Sequence, residues 1–133
     1  MLRTLDTNIC SYILRRRPES MIPRFASLRP EQIWLSAIVA AELRIGARNL
    51  GAAKFAATIQ TWLTGFDVRP WPVEATHHYA EVRAALEIQG QPIIGSMDLM
   101  IAAHALAEDS VVVTNNAKEF QRVPGLAIEV WEG

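Results

Sequence analysis

Three acids in this chain stand where an acid needs a reason. Asp6 closes the apolar run of LRTLDTNIC, Glu42 interrupts SAIVAAELRIGA, and Asp98 sits in the first turn of the oily segment GSMDLMIAAHAL. Carboxylates are rarely buried without a partner. Each has a structural account when taken alone. Asp6, followed by Thr7 and Asn8, reads as a helix cap. Glu42 can lie at the edge of its stripe and reach solvent or pair with Arg44 or Arg48. Asp98 suits the positive end of a helix dipole, although Ser96 already supplies an N-cap. A fourth polar group follows the run VVV: Thr114, Asn115, Asn116 and Glu119 cluster within TNNAKEF, where an Asn-capped turn is the plain explanation. Together they have a shared one. Carboxylates gathered in one crevice raise each other's pKa, and a divalent cation removes that conflict. Hard oxygen donors, with no cysteine cluster and no histidine pair, point to Mg²⁺ or Mn²⁺. Such a site can activate water and neutralise charge on a phosphodiester during hydrolysis.

Other chemistries find less support. His77 and His78 are adjacent and so point in different directions on a helix, and His104 lies off the face of Asp98. Neither a G-x-x-x-x-G-K-[ST] loop nor a G-x-G-x-x-G turn is present. Ser36 and Ser96 show no clear histidine partner, which leaves a serine hydrolase poorly supported.

These residues must be positioned by elements that alternate. Strands are expected at Leu2–Leu5, Ile33–Ser36, Phe66–Trp71, Val111–Thr114 and Ile128–Trp131, the third an edge because of Pro70. Helices are expected at Asn8–Arg16, Ser20–Leu28, Ala37–Asn49, Ala52–Leu63, Val73–Gln89 and Ser96–Glu108, with Gly51 turning a helical hairpin and Gly90 ending the long helix. The alternation predicts a parallel sheet covered on both faces. In such a sheet, ligands bind outside the carboxyl ends of the strands, where Asp6 and Thr114 fall. On the third helix, Ile38, Glu42 and Ile45 share one face at spacings of four and three, the face expected to be buried.

The bulk properties bound the rest. The chain has 133 residues, half of them hydrophobic, so one domain over 1–133 with a full core is expected. Cys10 is the single cysteine, which excludes an internal disulfide and fits a reducing, cytoplasmic compartment. No secretory signal and no membrane-spanning run is visible. A net charge of −1 argues against coating nucleic acid by bulk charge, but not against gripping it with a local patch.

The motifs LDTNIC, SAIVAAELRIGA, IGSMDLMIAAHAL and VVTNNAKEFQRVPGL, in this order and spacing, resemble PIN-domain toxins of the VapC type over essentially the whole chain. The resemblance implies a three-layer α/β/α PIN-like fold with a central, mostly parallel sheet of about five strands. It implies a Mg²⁺- or Mn²⁺-dependent endoribonuclease that cuts tRNA or rRNA to inhibit translation. It also implies a VapB-type antitoxin as partner, and a homodimer. Carried over by position, Asp6, Glu42 and Asp98 match the three leading acids and would hold the metal. Thr114 matches the hydroxyl that opens the last motif. The sequence departs from many relatives at the fourth acid: Asn116 occupies one family position and Glu119 the other, and both stay candidates.

RNA requires positive charge beside the acids. Arg15, Arg16 and Arg17 form the densest basic run, and Arg44 and Arg48 lie one turn apart on the Glu42 helix. Phe55, Ile59, Trp62 and Leu63 form a stripe that is core, or in part a groove for an amphipathic antitoxin helix. Trp34, Trp71 and Trp131 are expected as core anchors. Two other functions fit the alternation: a receiver-like phosphoacceptor module using Thr114 and Lys118, and a metal-dependent phosphatase of small molecules. The first should carry an acidic pair after the first strand and an Asp after the middle one, and neither is present.

Overall fold

The computed structural model describes residues 1–49, 51, 53–90 and 94–132. Five parallel strands form its centre: β1 (Arg3–Leu5), β2 (Ile33–Ser36), β3 (Asp67–Arg69), β4 (Val111–Thr114) and β5 (Ile128–Val130). Their spatial order is β3-β2-β1-β4-β5, with every neighbouring pair parallel. The helices among the described residues are α1 (Thr7–Arg15), α2 (Met21–Ala26), α3 (Ala37–Asn49), α4 (Ala53–Leu63), α5 (Glu74–Ile88), α6 (Ser96–Ala107) and α7 (Ala117–Phe120). They cover the sheet in the three-layer α/β/α arrangement expected.

Burial follows strand position. The inner strands β2 and β4 are buried at every residue, as their unbroken runs IWLS and VVVT require of parallel strands covered on both faces. The edge strands β3 and β5 contain no fully buried residue. Pro70 lacks the N–H a longer ladder would need, so β3 ends at Arg69 and is shorter than the expected Phe66–Trp71. Helix α6 is apolar almost all round, with Leu99, Ile101, Ala102, Ala103, His104 and Ala105 buried; such a helix belongs in a core. Trp34 and Trp131 are buried anchors. Trp71 is half-buried and donates from its indole N–H to the Met100 carbonyl.

Several boundaries differ from expectation. The helical hairpin is present, turned by Gly51 at φ +64, but the expected start of its second helix, Ala52, lies outside the described residues. On α4, Ile59 and Leu63 are buried while Phe55 and Trp62 are only partly so. The N-cap of α6 is Gly95, not Ser96, and no side chain caps it. The short helix α7 and a 3-10 turn at Pro30–Gln32 were not expected. Most consequentially, the buried face of α3 is Val39, Ala40, Leu43 and Ala47, whereas Ile45 is 52% exposed. The stripe Ile38–Glu42–Ile45 therefore lies beside the core, and Glu42 is half-buried at its edge rather than within it.

The order β3-β2-β1-β4-β5 reverses direction between β1 and β4. Connections in parallel sheets are right-handed, so helices before and after the reversal cover opposite faces and leave a crevice at the carboxyl ends of β1 and β4. A receiver-like sheet has the order 2-1-3-4-5, so that reading fails on topology as well as on its missing acids.

Candidate active site

Asp6 and Thr114 meet in that crevice because each is the first polar group after a buried strand run. Asp6 is 3% exposed and caps α1, with Oδ1 accepting from the Ile9 N–H at 2.9 Å. Its Oδ2 accepts from the Thr114 hydroxyl at 2.6 Å. The capping explanation of Asp6 is thus correct, but it uses one oxygen only. Thr114 Oγ1 in turn accepts from the Asn116 N–H at 2.8 Å, so one hydroxyl ties the end of β4 both to β1 and to the turn that follows.

Glu42 reaches the same place from α3. Among the described residues Glu42 forms no ion pair with Arg44 or Arg48; instead Thr7 Oγ1 donates to Glu42 Oε1. Thr7 adjoins Asp6, so the first turn of α1 holds one acid and positions the next. In the sequence Thr7 reads only as a capping neighbour of Asp6. Its signal was present, a hydroxyl directly after a strand-ending acid, but its partner lay 35 residues away.

Asp98 is half-buried in the first turn of α6. Glu119, in α7, pairs with Arg122 at 3.7 Å and is close enough to Asp98 to act on its ionisation. Asn116 stands at the N-cap of α7, but its side chain makes no capping bond. Asn115 is turned elsewhere and donates from Nδ2 to the Tyr12 hydroxyl at 2.8 Å. The expected Asn cap is therefore not formed by either residue.

Electrostatics join the acids into one group. Burial pushes the Asp6 carboxyl up to about 6; Thr114 and the Ile9 N–H oppose the rise, and Asp98 and Glu42 add to it. Asp98 is also raised, first by burial, then by Glu42 and Glu119. Among the described residues, no three His, Cys, Asp or Glu side chains are already gathered as a cage for a metal ion. The donor chemistry nevertheless fits Mg²⁺ or Mn²⁺: all-oxygen, acidic and mutually repelling. Mg²⁺ in particular keeps several waters and needs only one or two protein carboxylates.

Ser36 corrects an expectation. It does have a histidine partner: its Oγ lies 2.8 Å from His104 Nδ1. Ser36 Oγ also accepts from the Ile38 N–H, and His104 Nε2 lies 3.8 Å from Glu108. The arrangement looks like a Ser-His-acid triad but cannot work as one. Ser36 and His104 are both 0% exposed, so no substrate reaches the hydroxyl. Burial also lowers the His104 pKa, holding the ring neutral. The basic run Arg15, Arg16 and Arg17 is exposed, as are Arg44 and Arg48. The last two border an apolar groove of ≈410 Å³ between α3 and α4, floored by Ala47, Ala56 and Ile59.

Residues 3–126 match the family model described as PIN domain. The chain is 37% identical to Ribonuclease VapC2 of Rickettsia felis, over 99% of both chains. It is also 37% identical to the tRNA(fMet)-specific endonuclease VapC of Salmonella typhimurium, over 96% of both. Among solved structures, DNA-bound VapBC from Salmonella typhimurium matches with a TM-score of 0.90 at 36% identity, covering 99% of this chain and 100% of that one. VapBC2 from Rickettsia felis, bound to a fragment of its promoter, matches with a TM-score of 0.89 at the same identity and coverage.

Proposed function

The chain belongs to the PIN-domain family of VapC-type ribonucleases, and from that premise we propose that it is a divalent-metal-dependent endoribonuclease and the toxin of a toxin–antitoxin pair. The observation that carries this reading is the convergence at the β1–β4 reversal. A buried strand-end Asp6, Glu42 placed by Thr7, and Asp98 with Glu119 beside it are close enough to act on one another's charge.

Asp6 and Asp98 would hold the cation most directly. When bound, it supplies Lewis-acid polarisation of the phosphodiester and lowers the pKa of water beside it. The residues of the chain do the rest. Thr114 and the Ile9 N–H fix the Asp6 carboxylate, so its direction is set before substrate arrives. Thr7 occupies Glu42 Oε1, leaving Oε2 as the oxygen that orients the attacking water. Glu119 fills the fourth acidic position, because it acts on Asp98, while among the described residues the Asn116 side chain makes no hydrogen bond.

The substrate class is a tRNA, by analogy with the relative named for tRNA(fMet). The partner is a VapB-type antitoxin; the solved neighbours are VapBC complexes, and the groove between α3 and α4 suits an amphipathic helix. The family resemblance implies a homodimer as the toxin unit. Among the described residues no helix is long and apolar enough to cross a membrane.

The test is cleavage of a tRNA mixture by purified native protein and by Asp98→Asn, with Mn²⁺ and with chelator. Cutting by the native protein with Mn²⁺ only, and none by a folded Asp98→Asn, is expected. As a mere helix-end acid Asp98 would tolerate Asn, so equal cutting by both removes it from the site. Turnover of nitrophenyl phosphate without RNA cleavage would favour the small-molecule phosphatase.

A further inference from the structure

A second groove, of ≈380 Å³, opens directly beside Glu42 and Thr7 and runs between α1, α3 and α4. Its floor is apolar, with Leu43, Ala47 and Ile59, and half-buried Phe55 at its far wall. Its rim is polar. Asn8, Ser11 and Arg15 share one face of α1 at spacings of three and four, and Asn49 faces them from the end of α3. Among the described residues none of these four side chains makes a hydrogen bond or ion pair within the chain. Gly46 adds an independent observation. It lies inside α3, where glycine is a poor helix former, and a Cβ built on it meets nothing within 4 Å. Among the described residues no packing asks for glycine there, yet Gly46 lines the groove, so a side chain at this position would narrow it.

We propose that this groove seats one unpaired nucleobase of the RNA substrate, adjacent to the phosphodiester that is cut. The inference rests on the ribonuclease reading and deepens it by naming a specificity site. A base has flat apolar faces and a polar edge, and the groove has an apolar floor, an aromatic side chain and free amide and hydroxyl groups at its rim. Arg15 leads from the rim into Arg16 and Arg17, a basic run that tracks a phosphate backbone leaving the site. A duplex keeps its bases stacked inside, so the groove selects a splayed, single-stranded position.

The experiment uses short single-stranded oligoribonucleotides differing in one base on either side of the cut, with Mn²⁺. It compares native protein with Gly46→Leu, which fills the groove with a better helix former, and with Asn49→Ala at an exposed position. The native chain is expected to prefer one base at one flanking position. Both variants should lower kcat/KM on the preferred substrate about tenfold, the scale of one base-edge contact, and leave the disfavoured substrates and the Mn²⁺-induced melting shift unchanged. Native preference retained in both variants overturns the proposal. So does loss of inhibition by a VapB-type antitoxin with base preference intact, which makes the groove a protein site. No RNA cleavage by the native chain overturns the ribonuclease reading and this one with it; cleavage without base preference overturns this one alone.

Discussion

Thr114 donates its hydroxyl to Asp6 across 108 residues of sequence, and this 2.6 Å bond joins the ends of β1 and β4 where the sheet reverses. It tempers an expensive burial. The Asp6 pKa stands at about 6 in the folded chain against 3.8 ordinarily, because burial outweighs the two hydrogen bonds. A carboxyl whose pKa is raised by folding costs stability when it ionises. The cost is absent below pH 3.8, grows between 3.8 and about 6, and is complete above, at about 3 kcal/mol. Asp6→Asn should therefore stabilise the metal-free protein above pH 6 and lose that advantage by pH 4, since Asn caps α1 about as well. Thr114→Val should do the reverse, removing about 1–3 kcal/mol at pH 7 by stripping a charge-assisted bond. Denaturant titrations across this pH range, in chelator, check both. Parallel curves for native and Asp6→Asn would show that Asp6 is not a strained acid.

The sequence exposed the acids and the alternation because both are local. A buried strand run ending in Asp6 or in Thr114 is visible without knowing what lies opposite. Glu42 was found through its spacing from Ile38 and Ile45, yet Ile45 proved exposed. The face was misassigned: the core of α3 sits at Val39, Leu43 and Ala47, which is equally periodic, and Glu42 lies at its edge. The pairs Thr7–Glu42 and Ser36–His104 were not legible. Each joins elements far apart in sequence, and no spacing rule encodes which helix packs on which. Nor could the sequence show which residue of the last motif acts on the ionisation of Asp98; in the structure Glu119 does.

A cation that relieves the repulsion among Asp6, Glu42, Asp98 and Glu119 should stabilise the folded chain by mass action, by about 2.7 kcal/mol at a hundredfold excess over its Kd. Thermal scans with Mn²⁺ read this directly. Asp98→Asn should nearly abolish the shift, Glu119→Gln should weaken it, and Asn116→Ala should leave it near native. An order in which Asn116→Ala is the more damaging of the last two would move the fourth position to Asn116. Identical melts of the native protein across millimolar Mn²⁺ would remove the metal from this crevice.

The buried pair Ser36–His104 gives a test that separates structure from catalysis. Ser36 Oγ accepts from the Ile38 N–H at the start of α3 and shares a hydrogen bond of 2.8 Å with His104 Nδ1. His104 packs against Trp34 with ring centroids 4.5 Å apart and the ring planes tilted by 60°. Ser36→Ala leaves a ring nitrogen unpaired in the core and should cost about 1–3 kcal/mol of stability. RNA cleavage below the melting transition should stay near native, because the hydroxyl never meets substrate. The pH dependence has a definite sign. Folding lowers the His104 pKa, so the stability tied to its neutral form is present above pH 6.5 and is lost as pH falls, when the unfolded chain takes up the proton first. This opposes the Asp6 trend over the same range. His104→Gln should accordingly flatten the acid limb of the stability profile below pH 6.5 and leave the gain seen in Asp6→Asn untouched. Loss of RNA cleavage in a fully folded Ser36→Ala protein would instead make this serine part of the catalytic machinery and overturn its assignment as a core contact.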